Sequence, residues 1–143
     1  MSATTGAAGY SGTPLPRKLG IKPGARVALI GAPEGFEAAL ARLPEGVVVR
    51  RRFGREPFDV IVAFFAERST LERRLAGLSA ALDPAGGLWI AWPKRASRVP
   101  TDVTEGAVRD LGLAAGLVDN KVCAIDQVWS GLRFVYRLRD RPR

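Results

Sequence analysis

From Leu88 to Trp92 the chain is apolar without interruption, and Pro93 stops it. Such a run has no polar face to offer water, so it reads as a strand buried on both sides of a sheet. A sheet covered on both faces needs helices above and below it, which points to the α/β class. The segment before it, Asp83-Pro84-Ala85-Gly86-Gly87, reads as loop punctuation. Immediately after it come Lys94, Arg95, Ser97 and Arg98, the first polar groups to emerge from the sheet. Ligands of open α/β folds bind beyond such strand ends.

The rest of the chain supplies the alternation that this reading requires. Thr13-Pro14 opens a short helix, with Thr13 as cap and Pro14 at the first helical position, and Gly20 ends it. Lys22-Pro23-Gly24 is a turn. Arg26 to Ile30 is the first core strand, and Gly31 to Gly35 is a tight strand-to-helix connection. Phe36, Leu40 and Leu43 recur at helical spacing, which predicts an amphipathic helix over 34–43. Val47 to Val49 forms a second strand running into Arg50, Arg51 and Arg52. Phe58 to Phe65 is the longest buried strand. A parallel neighbour needs a crossover of roughly a dozen residues, and too few separate these two strands. Either the Val47 strand is very short or it runs antiparallel to its neighbour, and the short strand is the reading adopted.

Ser69-Thr70-Leu71-Glu72 is a capping box, with Leu71, Leu75, Leu78 and Leu82 along one helical face behind it. Asp102-Val103-Thr104-Glu105 repeats the capping pattern and opens a third helix. Val108 and Leu111 point inward there, and Gly112 or Gly116 ends the helix. Val118 to Ile125 and Leu132 to Leu138 are strands, joined as a hairpin through Gln127 to Gly131.

This order predicts a three-layer Rossmann-like α/β fold. Its sheet is mostly parallel, with helices on both faces and a C-terminal antiparallel hairpin. Residues 1–12 read as a flexible N-terminal arm, 13–139 as a single domain and 140–143 as a basic tail. The antiparallel end resembles the seven-stranded class I methyltransferase variant of the Rossmann fold. Residues 24 to 138 match that variant with its middle strand–helix segment missing. Several phrases are together similar to a small bacterial domain-of-unknown-function family, the three-thousand-and-fifty-second of its series. They are Tyr10-Ser-Gly-Thr-Pro-Leu15, Lys18-Leu-Gly-Ile-Lys22, Trp92-Pro-Lys94, Thr101-Asp102, Val118-Asp-Asn-Lys-Val122 and Trp129-Ser-Gly131. The resemblance implies the truncated methyltransferase-like fold and no activity.

The residue types exclude some chemistry. The chain has one cysteine, Cys123, and no histidine, which rules out an internal disulfide, Cys/His zinc sites and a histidine base within the chain. Cys123 lies inside a strand and reads as a small buried apolar residue. Asp59, Asp83, Asp119 and Asp140 are scattered, with no pair placed for acid–base work. The first ten residues lack the basic start and apolar core of a signal peptide, and no apolar run is long enough to span a membrane. A cytoplasmic location is the expectation. The formal charge of +8 would attract polyanions, but its arginines are spread over helices and termini alike.

The glycines at 31 and 35 sit where a methyltransferase would hold S-adenosylmethionine. However, the acid that opens that loop is replaced by Ala28 and Leu29, and the acid that would hold the ribose falls in Arg50-Arg51-Arg52. Pro33 removes an N–H and Glu34 adds a negative charge at the helix start, so the loop is a poor phosphate cradle. The triplet could hold a ribose 2′-phosphate, but an edge strand protected by charge explains it better. Lys94 could serve as an anion clamp, or as a nucleophile if desolvated, but the favoured reading is structural, an ion pair with Asp126 or Asp102. Trp89 and Trp92 read as core, whereas Trp129 in a turn can turn half its ring to a ligand.

If the strands run as in methyltransferases, Gly31, Glu67, Lys94, Asp126, Trp129 and Ser130 gather along one rim as ligand-binding candidates. No catalytic residue, metal or cofactor is assigned. The expectation leans against an enzyme, toward a non-catalytic binding module for a protein partner or small anionic ligand. The alternatives are a divergent transferase or nucleotide-cofactor-binding enzyme and, less favoured, a basic protein associated with nucleic acid.

Overall fold

The computed structural model describes residues 12–140. The predicted arm and tail lie outside them, except for Gly12 and Asp140. Six strands form one sheet: β1 (Arg26–Ile30), β2 (Val48–Arg50), β3 (Phe58–Phe64), β4 (Leu82–Pro93), β5 (Leu117–Ala124) and β6 (Trp129–Tyr136). Their spatial order is β2-β1-β3-β4-β6-β5. The first four are mutually parallel, and β6 runs antiparallel to both β4 and β5. The expected fold class, with its C-terminal hairpin, is the one observed.

The apolar runs are unbroken because both faces of the sheet are covered. Along β3, Ile61 and Ala63 join the cluster under the helices α2 (Arg68–Ala81) and α3 (Glu105–Ala114), where Leu71, Leu75, Leu78, Val103 and Val108 pack. Val60, Val62 and Phe64 turn the other way. They meet Leu15 of the short helix α1 (Leu15–Lys18), together with Leu19, Phe36 and Leu40.

The crowding around the second strand resolves by placement. β2 is a three-residue strand, parallel to β1 on its outer side, with Arg26 opposite Val48. It never touches β3, because β1 lies between them. Residues 51–57 lead back past β1, and Phe53 packs on Phe58 with ring centroids 5.8 Å apart.

Several local expectations are corrected. The helix predicted over 34–43 is only a 3-10 turn, Phe36–Leu40. Its Phe36 and Leu40 are buried as their spacing predicts, but left-handed backbone at Gly35 and Arg42 bounds it closely. At α1 the cap position is Pro14, not Thr13, and no side chain caps it. The capping boxes are also shifted. Ser69 lies inside α2; the carboxylate that accepts from the helix start, at Arg68 N–H and 2.7 Å, belongs to Asp102. Thr104 then caps α3 by accepting from Ala107 N–H at 3.1 Å. Asp83 to Gly87 is not a loop but the irregular start of β4, opposite a register shift at Phe58–Val60. There a Cβ on Gly86 would stand 2.6 Å from the Asp59 carbonyl, so only glycine fits. Gly116, at φ +92°, ends α3, while Gly112 stays inside the helix, against the Phe134 ring.

Candidate functional site

Parallel β1, β3 and β4 bring their carboxyl ends to one edge of the sheet. The chain runs outward from β1 to β2 on one side and from β3 to β4 on the other, so the order reverses between β1 and β3. Crevices at such reversals hold ligands in open α/β sheets.

The sequence-predicted residues lie along this edge. Gly31 follows β1 at φ +67°, and a Cβ there would stand 3.0 Å from the Phe64 carbonyl, so the loop is laid against the end of β3. The Phe64 ring meets Phe36 and Trp129 edge-on, with centroids 4.9 and 5.1 Å away. Trp129 pairs with Pro93 across β4–β6, and Ser130 pairs with Trp92. Lys94 N–H donates to the Val128 carbonyl at 2.7 Å, fastening the end of β4 to the β5–β6 turn. Asp126 shapes that turn, its Oδ1 accepting from Val128 N–H and Trp129 N–H at 2.8 Å each. Glu67 stands on the same edge past β3, exposed, and accepts from the Thr70 hydroxyl at 3.2 Å.

The structural pairing expected for Lys94 does not form. Asp126 is committed to the hairpin turn and Asp102 to the start of α2. Lys94 is half-buried, and its ammonium meets no acceptor among the described residues.

The arginine triplet is only partly the solvated edge it was read as. Arg51 grips Glu37 through two bonds of 2.7 and 2.8 Å and reaches the carbonyls of Ala32 and Pro33 at 3.3 Å each. The hydrogen bond from Arg51 holds the Glu37 carboxyl at about 2, far below the ordinary carboxylate range, and Arg51 is raised in turn. This guanidinium therefore straps the Gly31–Gly35 loop down instead of waiting for a phosphate. Cys123 is half-buried, and desolvation pushes its thiol up, against thiolate chemistry. Among the described residues, no three His, Cys, Asp or Glu side chains cluster to hold a metal. No helix there is long and apolar enough to cross a membrane.

No protein-family model matches this sequence, and no curated protein matches it. Solved structures do match. A SAM-dependent methyltransferase from Aquifex aeolicus superposes with a TM-score of 0.60 at 17% identity, over 82% of this chain and 85% of that one. Aeropyrum pernix fibrillarin, solved with natively bound S-adenosyl-L-methionine, gives 0.59 at 15% identity, over 89% of this chain and 70% of that one. The Methanococcus jannaschii fibrillarin pre-rRNA processing protein gives 0.58 at 14%, over 81% and 68%. The fold is methyltransferase-like. At such identities the likeness establishes architecture alone, and it overturns the lean against an enzyme: this sheet is an enzyme fold, shared with S-adenosylmethionine-dependent methyltransferases.

Sequence reasoning missed two groups at this edge. Thr101 and Asp102 stitch the loop after β4 onto the end of β3, with the Thr101 hydroxyl donating to the Ala66 carbonyl at 2.6 Å. The sequence offers Asp102 as a partner for Lys94 and as the opening of the third helix's capping pattern, whereas it binds the start of α2, and Thr101 lies outside that pattern. Arg95 and Arg98, visible only as charges after a strand, line a cavity of about 590 Å³ against Trp92.

Proposed function

We propose that the chain is a divergent transferase of the methyltransferase fold that binds a nucleotide-type cofactor along the carboxyl edge of its sheet. Lys94 is the anion clamp and Trp129 the flat apolar wall, with Gly31 and Ser130 beside them and Glu67 and Asp126 shaping the turns. The observation that carries this reading is Lys94, a half-buried residue whose ammonium meets no acceptor among the described residues and whose N–H ties it to the turn that presents Trp129. A lysine is a point charge suited to phosphate or carboxylate, and an indole gives a base a face to stack on.

The ligand is anionic. Ala28, Leu29 and the triplet Arg50–Arg52 stand where acids would recognise an adenosyl group, so S-adenosylmethionine is a poorer fit than a phosphate-bearing nucleotide. In the same reading residues 13–139 are the working domain, 1–12 an arm and 140–143 a tail. On this reading the motif phrases are those of the bacterial domain-of-unknown-function family that they resemble, and the single cysteine suits the cytoplasm.

Calorimetry with NADP⁺, ATP and S-adenosylmethionine tests the reading. A phosphorylated nucleotide should bind with a dissociation constant near micromolar, about −8 kcal/mol, and Lys94→Ala should weaken it at least about tenfold. Tight binding of S-adenosylmethionine with neither nucleotide binding would contradict it.

A further inference from the structure

On the α2–α3 side of β4, behind the rim, lies the cavity of about 590 Å³ walled by Trp92, Arg95, Arg98, Pro100, Val103 and Thr104, among others. Its inner wall is apolar: Trp92 is 6% exposed and Val103 3%. Arg95 and Arg98 both stand exposed on its wall, and neither guanidinium has an acidic or carbonyl partner among the described residues. The carboxylate on the wall, Glu105, is held by Arg109 at 2.8 Å, a guanidinium it shares with Asp119. The cavity is thus an apolar slot on whose wall two arginines outnumber one carboxylate that is already engaged.

The chain holds these charges in place at some cost. Arg98 adopts left-handed backbone at φ +62°, a conformation that glycine takes without strain and a β-carbon residue rarely does. The surrounding turn is fixed by its own bonds. Ser97 Oγ donates to the Lys94 carbonyl at 2.7 Å, and Val99 N–H donates to Ser97 Oγ at 3.2 Å. Beyond it, Thr101 and Asp102 bolt the far wall to the ends of β3 and α2. Arg98 is the left-handed cap of the 3-10 turn Arg95–Ser97, so the turn fixes where its side chain leaves the backbone.

We infer that this cavity is a second binding site, for a phosphate monoester carried on an apolar or aromatic body. Two guanidiniums match a dianion, and each can present two parallel N–H donors to phosphate oxygens. The apolar wall accounts for the rest of the ligand, as in small-molecule sites where a few polar groups orient an apolar body. The inference is independent of the cofactor reading, since Lys94 and Trp129 are not in this wall.

The test titrates phenyl phosphate, benzoate and inorganic phosphate into the full chain by calorimetry. Phenyl phosphate should bind saturably, at least about tenfold tighter than benzoate or inorganic phosphate. Arg98→Gly should relieve the backbone, melt no lower than wild type and still weaken phenyl phosphate at least about tenfold. Arg95→Gln should weaken it similarly, and Arg17→Gln, in α1 on the other face of the sheet, should leave it unchanged. No saturable binding, equal binding by Arg98→Gly, or equal binding of benzoate would each overturn the inference. Loss in Lys94→Ala with both arginine variants unaffected would also overturn it, and would move the probe to the rim without harming the cofactor reading.

Discussion

The buried indole of Trp89 donates its N–H to the carbonyl of Leu19 at 3.0 Å, tying the centre of the sheet to the segment after α1. Both residues are fully buried. Trp89→Phe keeps an aromatic ring but leaves that carbonyl without its partner. An orphaned buried acceptor costs about 1–3 kcal/mol, and the smaller ring adds to the loss. Urea unfolding should show at least that loss with an unchanged slope; a change of a few tenths would mean the bond is dispensable.

Asp102 caps a helix that is not its own. Asp102→Ala should therefore destabilise the protein by about 0.5–2 kcal/mol through α2, as much as Thr104→Ala does through α3. Ser69→Ala, at the residue the sequence pattern nominates, should be near neutral. Equal losses at Ser69 and Asp102 in thermal melts would refute the cross-element cap.

Gly112→Ala should destabilise despite gaining about 1 kcal/mol of helix propensity. Its Cβ would collide with the Phe134 ring, which is fully buried in β6 and cannot retreat. Overpacking of that kind costs about 1–3 kcal/mol, which outweighs the propensity gain, so the variant should melt below wild type; a higher melting temperature would refute the clash. Gly77→Ala in α2, where a Cβ meets open space, should stabilise and is the control.

Where an element's own residues decide its structure, the sequence was readable. β1 was read at its observed limits and β3 within a residue, because both are apolar on two faces, and the hairpin follows from the strands either side of a polar turn. Where a distant residue decides, it was not. The place of β2 depends on which strand lies beside it, and spacing alone says nothing of that. The cap of α2 comes from Asp102, thirty-four residues away. Of the candidate site, the shared edge followed from parallel strands, but the lack of a partner for Lys94 required seeing Asp126 and Asp102 engaged elsewhere. The left-handed Arg98 leaves no trace in composition or periodicity.

The Arg51–Glu37 strap makes the Gly31 loop sensitive to acid. The carboxyl is lowered from the usual 4.5 to about 2 in the folded chain. Its stabilisation is therefore present above about pH 4.5 and is lost as the pH falls toward 2. Glu37→Gln should remove that part of the acid dependence and speed amide exchange at residues 31–35 at neutral pH. Exchange unchanged at neutral pH would mean that Arg51 does not hold the loop.

A nucleotide-type ligand is proposed to bind at the carboxyl edge of the sheet. The most direct measurement is a titration of ¹⁵N-labelled protein with NADP⁺ or ATP, following backbone amides and tryptophan indoles. Saturable shifts are expected at Gly31, Lys94, Ser130 and the Trp129 indole, with Arg17, Lys22 and Lys121 unmoved, and with loss of those shifts in Lys94→Ala. Shifts confined to Arg17, Lys22 and Lys121, away from these residues, or none at all for either nucleotide, would contradict it.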